Sequence, residues 1–248
     1  MFDISLLRIQ SHEARPDENV RLPHHTFAPE IRFRDHESAL SGMLAGTRVA
    51  TVVGWQKIET LQVGDAVLTF DNGLQPLRAI TRLDLWSGAG DCPKEQHPLH
   101  VPAAAIGNRE DLILLPRQGV LIESATAERA FGDPLVLLRA EVLDGLCATS
   151  RRRATPGRQV YLLEFDDDQL VFASTGALCI CPAGGDLLNR RFARPTGTGG
   201  QYTVLSMESD PALIAEILWE LDVTWAGIVA RKRQQADRRP AQGSRLVI

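Results

Sequence analysis

From residue 47 onward, apolar and polar positions alternate in short runs, and most runs end at Gly, Pro or Asn. Arg48-Val49-Ala50-Thr51-Val52-Val53 alternates and stops at Gly54, which predicts a strand and then a turn. Val63-Gly64-Asp65 turns the chain into a second strand, Ala66-Val67-Leu68-Thr69-Phe70. Asp71-Asn72-Gly73 predicts a hairpin, because Asn and Gly adopt the positive φ angles of a tight turn, with 77–83 as the return strand. Further strands are predicted at 112–115, 120–123, 134–140, 160–165 and 169–173, and a helical turn at 103–108 closed by Gly107. Short strands at this spacing predict a mainly β fold, closed or sandwich-like.

The two ends break the pattern. Residues 1–40 mix Pro, His, Arg and acidic residues without periodicity and read as an N-terminal arm ahead of a β domain at 41–182. Residues 183–209 read as a linker, with Gly197, Gly199 and Gly200 giving flexibility at 195–200. A C-terminal α-helix is predicted at 210–234, followed by a tail at 235–248. Asp210 serves as its N-cap and Pro211 as its first residue. Leu213, Ile214, Ile217, Leu218 and Leu221 form its apolar stripe, with Glu216 and Glu220 on the opposite side. That stripe is expected to pack on the domain or on a second copy. The 211–230 helix is therefore the candidate for self-association or for an unknown protein partner.

Composition narrows the function classes. With 248 residues, 44% hydrophobic and 23% charged, the chain can bury a sizeable core. A net charge of -4 gives no reason to expect a nucleic-acid partner. Arg151-Arg152-Arg153 and Arg231-Lys232-Arg233 read as solvated runs. No stretch approaches the ~20 consecutive apolar residues of a membrane span. Arg8, His12, Glu13, Arg15, Asp17 and Glu18 stand where a secretory signal needs an apolar core. The expectation is a cytoplasmic protein with no membrane partner, export by a non-Sec route staying open. Cys179-Ile180-Cys181 looks like half a metal site, but no second pair at ligand spacing accompanies it. On a strand these two thiols would simply share one buried face. Neither metal nor cofactor is expected.

One stretch has a more specific pattern. Gly46-Thr47-Arg48-Val49-Ala50-Thr51, then Gly54, Ile58, Leu61 and Gly64-Asp65-Ala66-Val67, resembles the first block of Hedgehog/intein (Hint) domains. Asp71-Asn72-Gly73-Leu74-Gln75-Pro76-Leu77-Arg78, Val101-Pro102-Ala103-Ala104-Ala105-Ile106-Gly107 and Asp111-Leu112-Ile113-Leu114-Leu115-Pro116-Arg117-Gln118-Gly119-Val120-Leu121 are similar to successive elements of a bacterial Hint subfamily. Residues 161–165 and 171–173 resemble its closing hairpin. The resemblance covers about residues 41 to 182 and implies a Hint-type β fold.

It also implies a reaction. In the family a thiol or hydroxyl nucleophile at the start of the domain attacks the preceding carbonyl, and a T-x-x-H histidine protonates the departing nitrogen. Here the nucleophile position falls on Gly42 and the histidine position on Gln118. Glycine has no group to attack with, and an amide has no proton to give near neutral pH. The His-Asn pair that ends inteins is absent as well. The substitutes on offer are Ser41 as nucleophile and His100 as acid, with His97 nearby; a serine in a turn and a half-exposed histidine are the plainer readings.

Three functions therefore compete. The first is a Hint-like structural or interaction module without autoproteolysis or splicing. The second is a self-cleaving domain that cuts before Ser41 through an N–O acyl shift. The third is a hydrolase or metal-binding protein using Cys179, Cys181 and a histidine.

Overall fold

The computed structural model describes residues 40–87, 90–183, 192–193, 201–205 and 210–237. The predicted arm at 1–40, apart from Leu40, and the predicted flexible stretch at 195–200 lie outside these residues. So does the predicted tail beyond residue 237.

The strands, in order, are β1 (Met43–Leu44), β2 (Arg48–Thr51), β3 (Gly54–Lys57), β4 (Ala66–Thr69), β5 (Gly73–Pro76), β6 (Ala79–Asp84), β7 (Leu99–Val101), β8 (Leu112–Leu114) and β9 (Gly119–Glu123). Helix α1 (Ala125–Phe131) leads to β10 (Leu135–Arg139), β11 (Ser150–Arg151), β12 (Gln159–Glu164), β13 (Gln169–Ala173) and β14 (Ala177–Cys181). Two strands, β15 (Phe192–Ala193) and β16 (Gln201–Val204), precede the long helix α2 (Pro211–Asp237). The mainly β fold with a C-terminal helix is borne out.

The largest sheet runs β15-β16-β10-β9-β14-β13-β2-β4-β5, with β3 paired to β2. Its central strands β9, β10, β13 and β14 are buried on both faces. Val120, Ile122, Val136, Leu138, Val171, Ala173, Cys179 and Cys181 point into one apolar cluster. Their neighbours Leu121, Leu137, Leu170, Phe172, Leu178 and Ile180 point into another. That is why β13 and β14 read as continuous apolar runs rather than alternating ones. The C-x-C thiols share one buried face, as a strand dictates.

Several local expectations change. Val52 and Val53 lie in the β2–β3 turn, 63% and 73% exposed, because the Thr51 hydroxyl donates to the Gly54 carbonyl and closes that turn. The hairpin at residues 71–73 forms, but its return strand is β5, which pairs Thr69 with Gly73 and Ala66 with Pro76. Pro76 has no N–H to extend the ladder. The chain then crosses to β6, whose partner is β12, with Leu83 opposite Val160. Residues 103–108 make an irregular turn and not a helix. Asn108 donates to the Pro102 and Glu110 carbonyls and accepts from the Ile106 N–H, and Ala104 takes a positive φ of 72°. Helix α1 has no counterpart in the predicted elements; Ser124 caps it through the Ala127 N–H and Gly132 ends it at φ 71°. Within the predicted linker, β16 lies parallel to β10.

Helix α2 begins as its sequence predicts: Asp210 accepts from the Leu213 N–H, and Ile214 and Ile217 are fully buried. Glu216 and Glu220 are not idle. The Glu220 carboxylate accepts from the Ser124 hydroxyl and from the Ala125 and Thr126 N–H groups, at 2.7 to 3.0 Å, while Glu216 pairs with Arg129. The Asp222 carboxylate accepts from the Cys147 N–H at 2.8 Å. Carboxylates on α2 thus clasp the β domain, satisfying donors at the open start of α1.

Candidate functional site

Leu40, Ser41 and Gly42 lead into β1, a short strand held antiparallel to β12 with Met43 opposite Tyr161. A cavity of about 290 Å³ opens at this junction. Ser41, Gly42 and Gln118 all line it, together with Tyr161, Glu164 and Cys181. The fold therefore brings Gln118 beside Ser41 and Gly42, which lie 77 and 76 positions earlier in the chain, and all three were singled out from sequence. His100 is not among the lining residues. It sits in β7, paired with Asp111 at 3.0 Å, and Asp111 is drawn below its ordinary pKa chiefly by the Ala103 N–H. His97 contacts the Cys92 carbonyl at 3.0 Å instead.

Gly42 stands where the family resemblance expects the nucleophile. A Cβ placed there would lie 2.5 Å from Val160 Cγ1, 2.8 Å from Leu162 Cδ2 and 2.8 Å from the Tyr161 carbonyl oxygen. Its φ is not in the left-handed region, so glycine is required by close approach rather than by backbone conformation. Strand β12 packs directly over the position that a side chain would need.

Gln118 is similarly committed. It is 1% exposed, and its amide donates to the carbonyls of Gly119 and Ile180, each at 3.0 Å. Its Oε1 has no hydrogen-bond partner among the described residues. The side chain ties the entry of β9 to β14 and so shapes the cavity floor. The amide itself has no titratable proton to give to a leaving nitrogen near neutral pH.

Two further features escaped the sequence reading. The Leu40 carbonyl, which precedes Ser41, accepts a hydrogen bond from the Arg117 N–H at 3.0 Å. Such a donor polarises a carbonyl toward attack, but any residue type supplies it, so the sequence holds no signal for it. Cys181 also reaches the cavity. Burial, with the neighbouring Cys179 adding to it, raises its pKa far above the ordinary thiol value and keeps it protonated. A protonated thiol is a poor nucleophile. Burial likewise pushes Cys179 up to about 12. Among the described residues, no group of three or more His, Cys, Asp or Glu side chains is placed to hold a metal ion.

A family model described as the Hint domain matches residues 42–179, more than half of the chain, and the chain belongs to that family. Among solved structures it is similar to a bacterial intein-like domain from Clostridium thermocellum, at 14% identity and TM-score 0.40, over 56% of this chain and 98% of that one. It is also similar to a splice-inactive variant of the AceL NrdHF class 3 split intein, at 15% identity and TM-score 0.36, over 58% and 99% of the two chains. The MchDnaB-1 intein matches at 16% identity and TM-score 0.32, over 54% and 98%. No curated protein matches the chain. Among the described residues, no helix is long and apolar enough to cross a membrane.

Proposed function

We propose that this chain is a Hint domain that has given up self-cleavage and serves as a structural or interaction module. The observation that carries the reading is the closure of position 42 by Val160, Leu162 and the Tyr161 carbonyl. A merely substituted nucleophile would leave its space behind; here the neighbouring strand has filled it. The locked amide of Gln118 supports the same reading from the other side of the cavity. General acid catalysis supplies about 10²–10⁴ in rate, and loss of the nucleophile removes the covalent route itself.

A second reading has one observation in its favour. The Leu40 carbonyl is polarised by the Arg117 N–H, and Ser41 follows it at the cavity wall. In that reading the Ser41 Oγ attacks the Leu40 carbonyl carbon, the Leu40–Ser41 C–N bond breaks, and the hydroxyl proton ends on the freed Ser41 amine, leaving an ester. Hydroxylamine distinguishes the two, because it cleaves an ester and leaves peptide bonds intact under mild conditions. The non-cleaving reading expects no hydroxylamine-dependent fragment. A fragment beginning at Ser41, abolished by Ser41→Ala, would replace it with the second.

A further inference from the structure

Helix α2 is apolar on two faces, and the β domain covers only one of them. Ile214 and Ile217 are fully buried, and Leu213, Leu218, Leu221 and Trp225 pack beside them. At about 100° of rotation per residue, Ala212, Ala215, Trp219, Val223, Ala226 and Ala230 fall in one stripe roughly 80° wide on the opposite side. All six are exposed, Trp219 at 68% and Val223 at 51%.

We propose that this outer face of α2 pairs antiparallel with the same face of a second copy of the chain. The inference does not depend on whether the cavity cleaves. The stripe is self-complementary about a twofold axis between Trp219 and Val223. Trp219 of one copy meets Val223 of the other on both sides of the axis. Ala212 and Ala215 then face Ala230 and Ala226, and such small residues let two helices approach closely. The charges fit the same orientation. Arg231, Lys232 and Arg233 are exposed at one end of the helix, and Asp210 is exposed at the other. An antiparallel pair sets these opposite each other, whereas a parallel pair stacks the basic cluster on itself.

A lipid surface fits less well. The three basic residues are consecutive and fan around the helix instead of flanking the stripe, and Glu216 and Asp222 border it. The stripe runs from Ala212 to Ala230, about 28 Å of helix at ~1.5 Å per residue, so a width of ~10 Å covers roughly 280 Å² per copy. The total of ~560 Å² is well below the ~1,200 Å² of stable interfaces, which makes the dimer weak and transient, its dissociation constant far above the nanomolar range.

Sedimentation velocity of the full chain, from about 1 to 300 µM, tests this in the range where such a Kd is read. A shift from monomer to dimer is expected, and Trp219→Glu and Ala226→Glu should each stay monomeric with unchanged circular dichroism and thermal midpoint. In a Cys92→Ser background, oxidation of Ala212→Cys/Ala230→Cys should give a covalent dimer, and neither single cysteine variant should link to itself. A chain that stays monomeric throughout overturns the proposal, as does a dimer that survives both glutamate variants. Self-linking of a single cysteine variant overturns the antiparallel orientation. A monomer that floats with phosphatidylglycerol vesicles replaces the second copy with a lipid surface.

Discussion

Replacing Gly42 by alanine adds one methyl group, and the surroundings determine what it meets. The new carbon falls 2.5 Å from Val160 Cγ1 and 2.8 Å from the Tyr161 carbonyl oxygen, against the ~3.5–4.0 Å of an ordinary carbon contact. Val160 is fully buried and paired with Leu44 on one side and Leu83 on the other. The Tyr161 oxygen belongs to the backbone of the middle strand of the same small sheet. Only Leu162 can turn away cheaply. Overpacking of this kind costs ~1–3 kcal/mol. Restricting the unfolded chain returns ~0.4–1 kcal/mol. The net expectation is a loss of about 1–2 kcal/mol, which lowers Tm by roughly 2–8 °C for a chain of this size. Urea unfolding followed by tryptophan fluorescence measures it, with an unchanged m-value showing that both states keep their compactness. Adding Val160→Ala to Gly42→Ala should recover ~0.5 kcal/mol or more beyond additivity. A neutral or stabilising Gly42→Ala would refute the reasoning, since it would mean that room for a nucleophile persists at position 42.

Other consequences are equally open to measurement. Gln118→Leu leaves the Gly119 and Ile180 carbonyls without their side-chain donor, so a loss of ~1–3 kcal/mol is expected in the same unfolding assay. Burial works to raise the Glu220 pKa, but the Ser124 hydroxyl and the Ala125 and Thr126 N–H groups outweigh it and hold the carboxyl below its ordinary 4.5. Its contribution is therefore present above pH ~4.5 and lost as pH falls through the lower folded value; hydrogen exchange at the first turn of α1 should rise across that window, and Glu220→Gln should raise it already at neutral pH. Cys147 and Cys179 are each pushed up to about 12, chiefly by burial. Iodoacetamide at pH 8 should accordingly modify the half-exposed Cys92 first and reach Cys147, Cys179 and Cys181 only on unfolding, as peptide mapping would show.

The β scaffold was legible because its signals are local. Turn glycines at 54, 64 and 73 and the Asp210-Pro211 helix start depend on neighbouring residues, and each does in the structure what its type permits. The order of the family-like segments also placed Gly42 and Gln118 at one site from their positions alone. What the sequence withheld depends on chain crossings. Nothing local shows that Ala79–Asp84 leaves the hairpin for β12, and the closure of position 42 follows only from that crossing and from β1 pairing on the other side of β12. The roles of Glu216 and Glu220 were hidden for the same reason, since their partners lie on a helix some 90 residues earlier.

The central claim is that the Hint fold here persists without its cut. Intact mass, with N-terminal sequencing, of the purified full-length chain after prolonged incubation at neutral pH tests it most directly. A single species of full mass at every time point, with or without added thiol, is the expected result. A time-dependent fragment whose first residue is Ser41 would contradict it and return the cavity to catalysis.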